Sequence, residues 1–150
     1  MSVAVPGVVE TSDNLGVVDV SPQAGSCTFM VRFLVEGPGV ELANEIVSLF
    51  ALSGTEAKVF GFYPGWAPNP ASPLLATCQA VYTEVFGGES ETLVVHAGLE
   101  CGLIGGKYPE LDMVSFGPNI RGAHAPGESV DVASVERCWR LLREILTKLA

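Results

Sequence analysis

Two loops near the end of the chain hold the side chains best suited to chemistry. The first reads His96-Ala-Gly-Leu-Glu100-Cys101-Gly102, and the second Gly117-Pro-Asn-Ile-Arg-Gly-Ala-His124-Ala-Pro-Gly-Glu128. An imidazole can ligate a metal or carry a proton, and a carboxylate or thiol beside it can serve as base, ligand or nucleophile. Each loop follows a short apolar run, Thr92 to Val95 and Met113 to Phe116, that reads as a strand. Functional groups collect just beyond strand ends in α/β folds. The remainder of the chain offers these loops little help, with only 2 histidines in all and no cluster of carboxylates.

The elements that must position these loops fall into two parts. In the first, Leu15 to Val20 and Cys27 to Val35 read as strands joined by the turn cluster Ser21-Pro-Gln-Ala-Gly25. Alternation places Phe29, Val31, Phe33 and Val35 on one face and Thr28, Met30, Arg32 and Leu34 on the other. Val40 to Leu52 has helical spacing and stops against Gly54, and Ala57 to Phe62 reads as a further strand. The order β-β-α-β is a split, ferredoxin-like sheet without its first strand and helix. Tyr63-Pro-Gly-Trp-Ala-Pro-Asn-Pro70 holds no regular element and marks a boundary, giving domains at 1–66 and 67–150.

The second part alternates helix and strand. Ser72-Pro73 supplies an N-cap with proline at the first helical position, and Gly87 ends the stripe that runs from Leu74 to Phe86. A short helix starts near Glu100 or Cys101, and a last one runs from about Ser134 to Leu149. The expected class is α/β, the second part being a piece of a layered sheet.

Composition narrows the function. Only 17% of the residues are charged against 48% hydrophobic, so some apolar faces need a cover from outside the chain. A net charge of −9 argues against nucleic acid as a partner, and no run of apolar residues is long enough for a membrane span. Cys27, Cys78, Cys101 and Cys138 show no paired spacing, which points to reduced thiols in the cytoplasm and to Cys27, Cys78 and Cys138 as core residues. The glycines at 98, 102, 105 and 106 match no phosphate-binding motif. Arg137, Arg140, Arg143 and Lys148 read as the solvated face of the last helix.

On spacing alone each candidate has an ordinary role. His124 can be a solvated loop residue or a metal ligand. Glu100 can be no more than a carboxylate favoured at a helix start. Arg32 can pair with Glu41 or Asp19, or hold a substrate carboxylate in its fork.

The stretches 96–102 (HAGLECG), 108–115 (YPELDMVS), Gly117-Pro-Asn-Ile with His124-Ala-Pro-Gly-Glu128, and 130–142 resemble the C-terminal end of bacterial aminoacyl-histidine dipeptidases. Tyr63-Pro-Gly-Trp-Ala-Pro and Glu10-Thr-Ser-Asp-Asn-Leu-Gly resemble the same family further upstream. These are zinc dipeptidases that cleave Xaa-His substrates such as carnosine, related in fold to carboxypeptidase G and peptidase T. The resemblance covers nearly the whole chain and implies that it corresponds to about the last third of such an enzyme.

The resemblance implies a two-zinc catalytic domain interrupted by a lid that forms the dimer, so 1–66 becomes lid and 67–150 catalytic. It makes His124 a zinc ligand, Arg32 the holder of the substrate carboxylate, and Gly98 a backbone wall of the pocket. Asn14 and Glu100 are weaker candidates. The family usually has His-Ser-Pro where this chain has His124-Ala125-Pro126, a mild change. The family's HxD motif, bridging Asp, Glu-Glu pair and further Asp have no counterpart here. The catalytic residues are thus absent, and one histidine cannot assemble a site of about three or four ligands per zinc. The expectation is a portion of a dipeptidase, inactive by itself and pairing with a second copy through the lid sheet. A non-catalytic interaction module and a metal-free small-ligand binder are the readings from other classes.

Overall fold

A computed structural model of the chain describes residues 1–3, 5–95 and 99–150, which divide into two compact units, 1–68 with 93–110 and 69–92 with 111–150. Helices and two small antiparallel sheets make up the chain, an α/β arrangement as expected.

The first unit is built on the hairpin of β1 (Thr11–Val20) and β2 (Gly25–Phe33). A turn closes it, with the Ser21 N–H donating to the Ala24 carbonyl at 2.8 Å and the Ala24 N–H to Ser21 Oγ at 3.1 Å. Gly16 bulges out of the ladder between Leu15 and Val17. Helix α1 (Glu36–Leu52) lies on one face, where the rings of Phe29 and Phe50 meet edge to face at 5.7 Å. Phe29, Val31 and Phe33 are half-buried while Met30 and Arg32 are exposed, the alternation expected from the sequence. The helix begins four residues earlier than its apolar spacing suggests. Pro38 sits in the first turn, where its missing N–H has no partner to lose.

After α1 the chain crosses back over the end of β2. Phe62 stacks on Phe33 with ring centres 6.0 Å apart, and Leu34, 5% exposed, is the unit's one fully buried apolar residue among those described. Helix α3 (Glu100–Lys107) then packs on the Pro64 carbonyl through Gly102. A Cβ at Gly102 would stand 2.5 Å from the Pro64 oxygen, so only glycine lets the two backbones approach this closely.

The second unit is a helix pair, α2 (Pro73–Phe86) and α4 (Val132–Leu149), with Cys78, Val81 and Ile145 at its core and Val114 packed against it. Ser72 caps α2 as expected, its Oγ accepting the Leu75 N–H at 2.9 Å. It also donates to Asp112, whose carboxylate takes the Leu74 N–H at 2.9 Å. These bonds, the Ser72 hydroxyl first, hold the Asp112 carboxyl below the usual carboxylate range. Gly87 ends the helix in the left-handed conformation. Burial, and after it the Asp112 charge, push the Cys78 thiol up, which leaves it a core group and not a nucleophile.

Three expected strands are not strands. Residues 57–62, 92–95 and 113–116 make no ladder, so the β-β-α-β order becomes β-β-α followed by an unpaired segment. A strand exists through its neighbour, and no described segment lies in register beside these runs. Several of their apolar side chains stay open, Phe60 at 78% and Leu93 at 70% exposure, while Val114 packs on the second unit's core. Cys27 also departs from expectation: it lies exposed toward the hairpin tip, beyond the reach of a packing element. Arg137 and Arg140 are more than a solvated face, since both guanidiniums lie over the Phe86 ring, at 4.7 and 5.6 Å.

Candidate functional site

His124 sits at the head of a small, firmly closed loop. Two residue pairs, Ile120 with Val130 and Arg121 with Ser129, form a ribbon of β3 (Ile120–Arg121) and β4 (Ser129–Val130) around residues 122–128. Such short strands carry no readable periodicity and were not anticipated. Ser134, itself buried, fastens the ribbon to the start of α4. Its Oγ accepts the Asn119 N–H at 2.8 Å and donates to the Asp131 carbonyl at 2.6 Å, while the Asp131 N–H reaches the Asn119 carbonyl at 2.9 Å. Asp131 caps α4 by accepting the Ala133 N–H, which starts the helix two residues before the expected Ser134.

Within this frame His124 has φ +64°, the one non-glycine residue with positive φ among those described. The left-handed conformation costs a side-chain-bearing residue roughly 1–2 kcal/mol, although histidine visits it more readily than most. The loop repays that cost through hydrogen bonds. The Ala125 N–H donates to the Gly122 carbonyl at 3.0 Å and the Glu128 N–H to the Ala125 carbonyl at 3.1 Å. The Glu128 carboxylate accepts the His124 N–H at 3.0 Å. Glu128 was visible in the motif but had no role there, and its position four residues after the histidine across Pro126-Gly127 is the signal that could have marked it. The imidazole stands exposed.

Arg32 and Asn14 lie in the other unit, on one face of the hairpin. Arg32 is opposite Ser12 and Asn14 opposite Met30, so the two share the side away from α1 on adjacent strands. Glu100 opens α3 in its first turn, where the helix dipole favours a carboxylate. It stands near Tyr63. Burial, then the charges of Glu100 and Cys101, push the Tyr63 phenol above its ordinary value. Gly98 and His96 lie outside the described residues.

A zinc ion takes an imidazole nitrogen, and His124 offers one. Among the described residues, however, no group of three or more His, Cys, Asp or Glu side chains could hold a metal ion. The described part of this chain does not compose a metal centre alone. No helix of the described chain is long and apolar enough to cross a membrane.

Small sheets flanked by helices, with a constrained histidine loop at the head of the last helix, define an α/β chain, and comparison with known proteins places it more closely. The model of peptidase family M20/M25/M40 matches residues 5–148, and the chain belongs to that family. It is 39% identical over 143 residues to the cytosol non-specific dipeptidase of Escherichia coli, covering 95% of this chain and 30% of that protein. The crystal structure of aminoacylhistidine dipeptidase from Vibrio alginolyticus superposes with a TM-score of 0.80 at 36% identity, covering 99% of this chain and 30% of that one. The chain thus spans about 30% of the length of both relatives.

Proposed function

We propose that this chain is the C-terminal portion of a zinc-dependent cytoplasmic dipeptidase, with 1–66 from its lid and dimerisation domain and 67–150 from its catalytic domain. His124 donates one zinc ligand. Arg32, with Asn14 beside it on the hairpin face, holds the carboxylate of the dipeptide. Gly98 lines the pocket through its backbone, and Glu100 stands near it. The general base and the remaining ligands come from residues outside this chain. The observation that carries the reading is His124 itself: an exposed imidazole on a left-handed backbone, held by a loop whose hydrogen bonds serve no core. The relatives' names support dipeptides as the substrate class, and the aminoacylhistidine dipeptidase supports Xaa-His dipeptides more narrowly.

The test compares the purified 150-residue chain with the same chain joined to the upstream family sequence. The chain alone hydrolyses no dipeptide with or without zinc, and the longer protein cleaves Xaa-His dipeptides in a zinc-dependent manner. Zinc-dependent cleavage by the 150 residues alone would overturn the division of labour. A longer protein that cleaves no dipeptide would overturn the function.

The same reading has two copies meeting through the hairpin sheet. Its two strands each leave an outer edge open, and Leu15, Val17, Val18 and Met30 are all more than half exposed. Light scattering at micromolar concentration is expected to give twice the 15.7 kDa chain mass. A monodisperse monomer would contradict it.

A further inference from the structure

We propose that Glu128 is the positioning residue for His124, holding its backbone in the left-handed conformation that presents the imidazole at the loop head. The Glu128 carboxylate accepts the His124 N–H at 3.0 Å, and this is the bond that reaches the strained residue itself. The ribbon and Ser134 close the loop at its base, the Ala125 N–H bond to the Gly122 carbonyl closes the turn 122–125 that includes His124, and the Glu128 N–H bond closes the next turn. A residue in a sparsely populated conformation persists only where its surroundings over-determine it. Without the carboxylate, the turn that includes His124 loses one of the two bonds that together fix φ at position 124.

Glutamate also has the right reach. Pro126 and Gly127, the latter at φ +87°, fold the chain back so that a side chain four residues on returns to the His124 amide. The demand on residue 128 is for an acceptor at that length and not for a charge as such. Glutamine keeps the acceptor, whereas alanine removes it.

The first part of the proposal is independent of any metal, and the second rests on the reading of His124 as a ligand. In NMR spectra of the 150-residue chain, a strong intraresidue HN–Hα contact at His124 reports the positive φ. Glu128→Ala is expected to lose that contact and to speed exchange of the His124 amide about tenfold, the effect of losing one ordinary hydrogen bond. Glu128→Gln keeps the contact and stays within about threefold of the parent in exchange. The Asn119 amide, bonded to Ser134 at the loop base, serves as the folding control and stays unchanged in both variants.

The second arm uses the longer protein and measures zinc retention against a chelator. Glu128→Ala is expected to weaken retention about 10–100-fold, the usual effect of losing a group that orients a ligand, and Glu128→Gln restores most of it. An unchanged HN–Hα contact and exchange rate in Glu128→Ala would overturn the proposal outright. A lost contact with unchanged zinc retention in both Glu128→Ala and His124→Ala would leave Glu128 as the holder of the loop and overturn His124 as a ligand. A lost contact with zinc retention that falls only in His124→Ala would overturn the link from backbone position to metal.

Discussion

Alanine in place of His124 is expected to lower dipeptide turnover by the proposed full-length enzyme at least about a thousandfold, because a metal centre with an open ligand position loses both occupancy and geometry. The loss belongs in kcat and in zinc content together, with the KM of whatever activity remains nearly unchanged, since in the proposed site His124 would bind the metal and not the substrate carboxylate. In the isolated chain the same residue is expected to bind zinc only weakly, since one imidazole supplies a small part of a closed site's affinity and the described residues hold no group of three or more His, Cys, Asp or Glu side chains that could take the ion. Metal analysis and steady-state kinetics check the first statement, and calorimetry the second. A His124→Ala enzyme that keeps its zinc and its kcat would remove the histidine from the site. Tight stoichiometric zinc binding by the isolated chain that vanishes on the same substitution would contradict the second.

The other large effect is on folding and comes from Gly102. Its buried Cα rests on the Pro64 carbonyl, and a Cβ there would meet that oxygen at 2.5 Å. Two stretches of backbone would have to separate, which costs more than bending a side chain, on the order of 3 kcal/mol at the upper end of overpacking penalties. Gly102→Ala should therefore lower the denaturation midpoint of the first unit strongly. Gly106, one turn on in the same helix, is the matched control. Its added Cβ would find only Pro64 side-chain carbons at 3.6 and 3.8 Å, and alanine is favoured over glycine within a helix by about 1 kcal/mol. Gly106→Ala should be neutral or stabilising. Trp66 belongs to the first unit and Trp139 to the second, so fluorescence in a Trp139→Phe background reads the first unit alone. Equal midpoints for the two glycine variants would mean that the close approach does not constrain the fold.

Gly102 also changes how the HAGLECG stretch is understood. As sequence, 96–102 stands out as a loop that could carry chemistry, with Gly98 and Gly102 both in it. In the structure the last of them is consumed by packing on Pro64, within the other stretch, Tyr63 to Pro68, that shares the family resemblance. Two segments separated by the whole of α2 are thus matched to each other.

The sequence by itself determined the features that arise within a few residues of one another. Ser72-Pro73 and Gly87 delimit α2 because a cap, a ring-locked φ and a left-handed stop act over single turns. Glu100 opens α3, α4 spans its apolar stripe, and Phe29, Val31 and Phe33 turn one face of β2 inward, all from local period. It also determined the family, because motifs in loops are read directly as residues. Tertiary structure alone decided the rest. Whether 57–62, 92–95 and 113–116 become strands depends on a neighbour that local pattern cannot name, and they are left unpaired. Cys27 is exposed because no element reaches the hairpin tip, although its strand pattern reads like core. His124 has its left-handed backbone inside a turn closed by Gly122 and Ala125, with its N–H on Glu128 and the loop closed at its base by Asn119 and Ser134. Backbone conformation at His124 goes with hydrogen bonds among residues 119–134, which only folding of that stretch brings together.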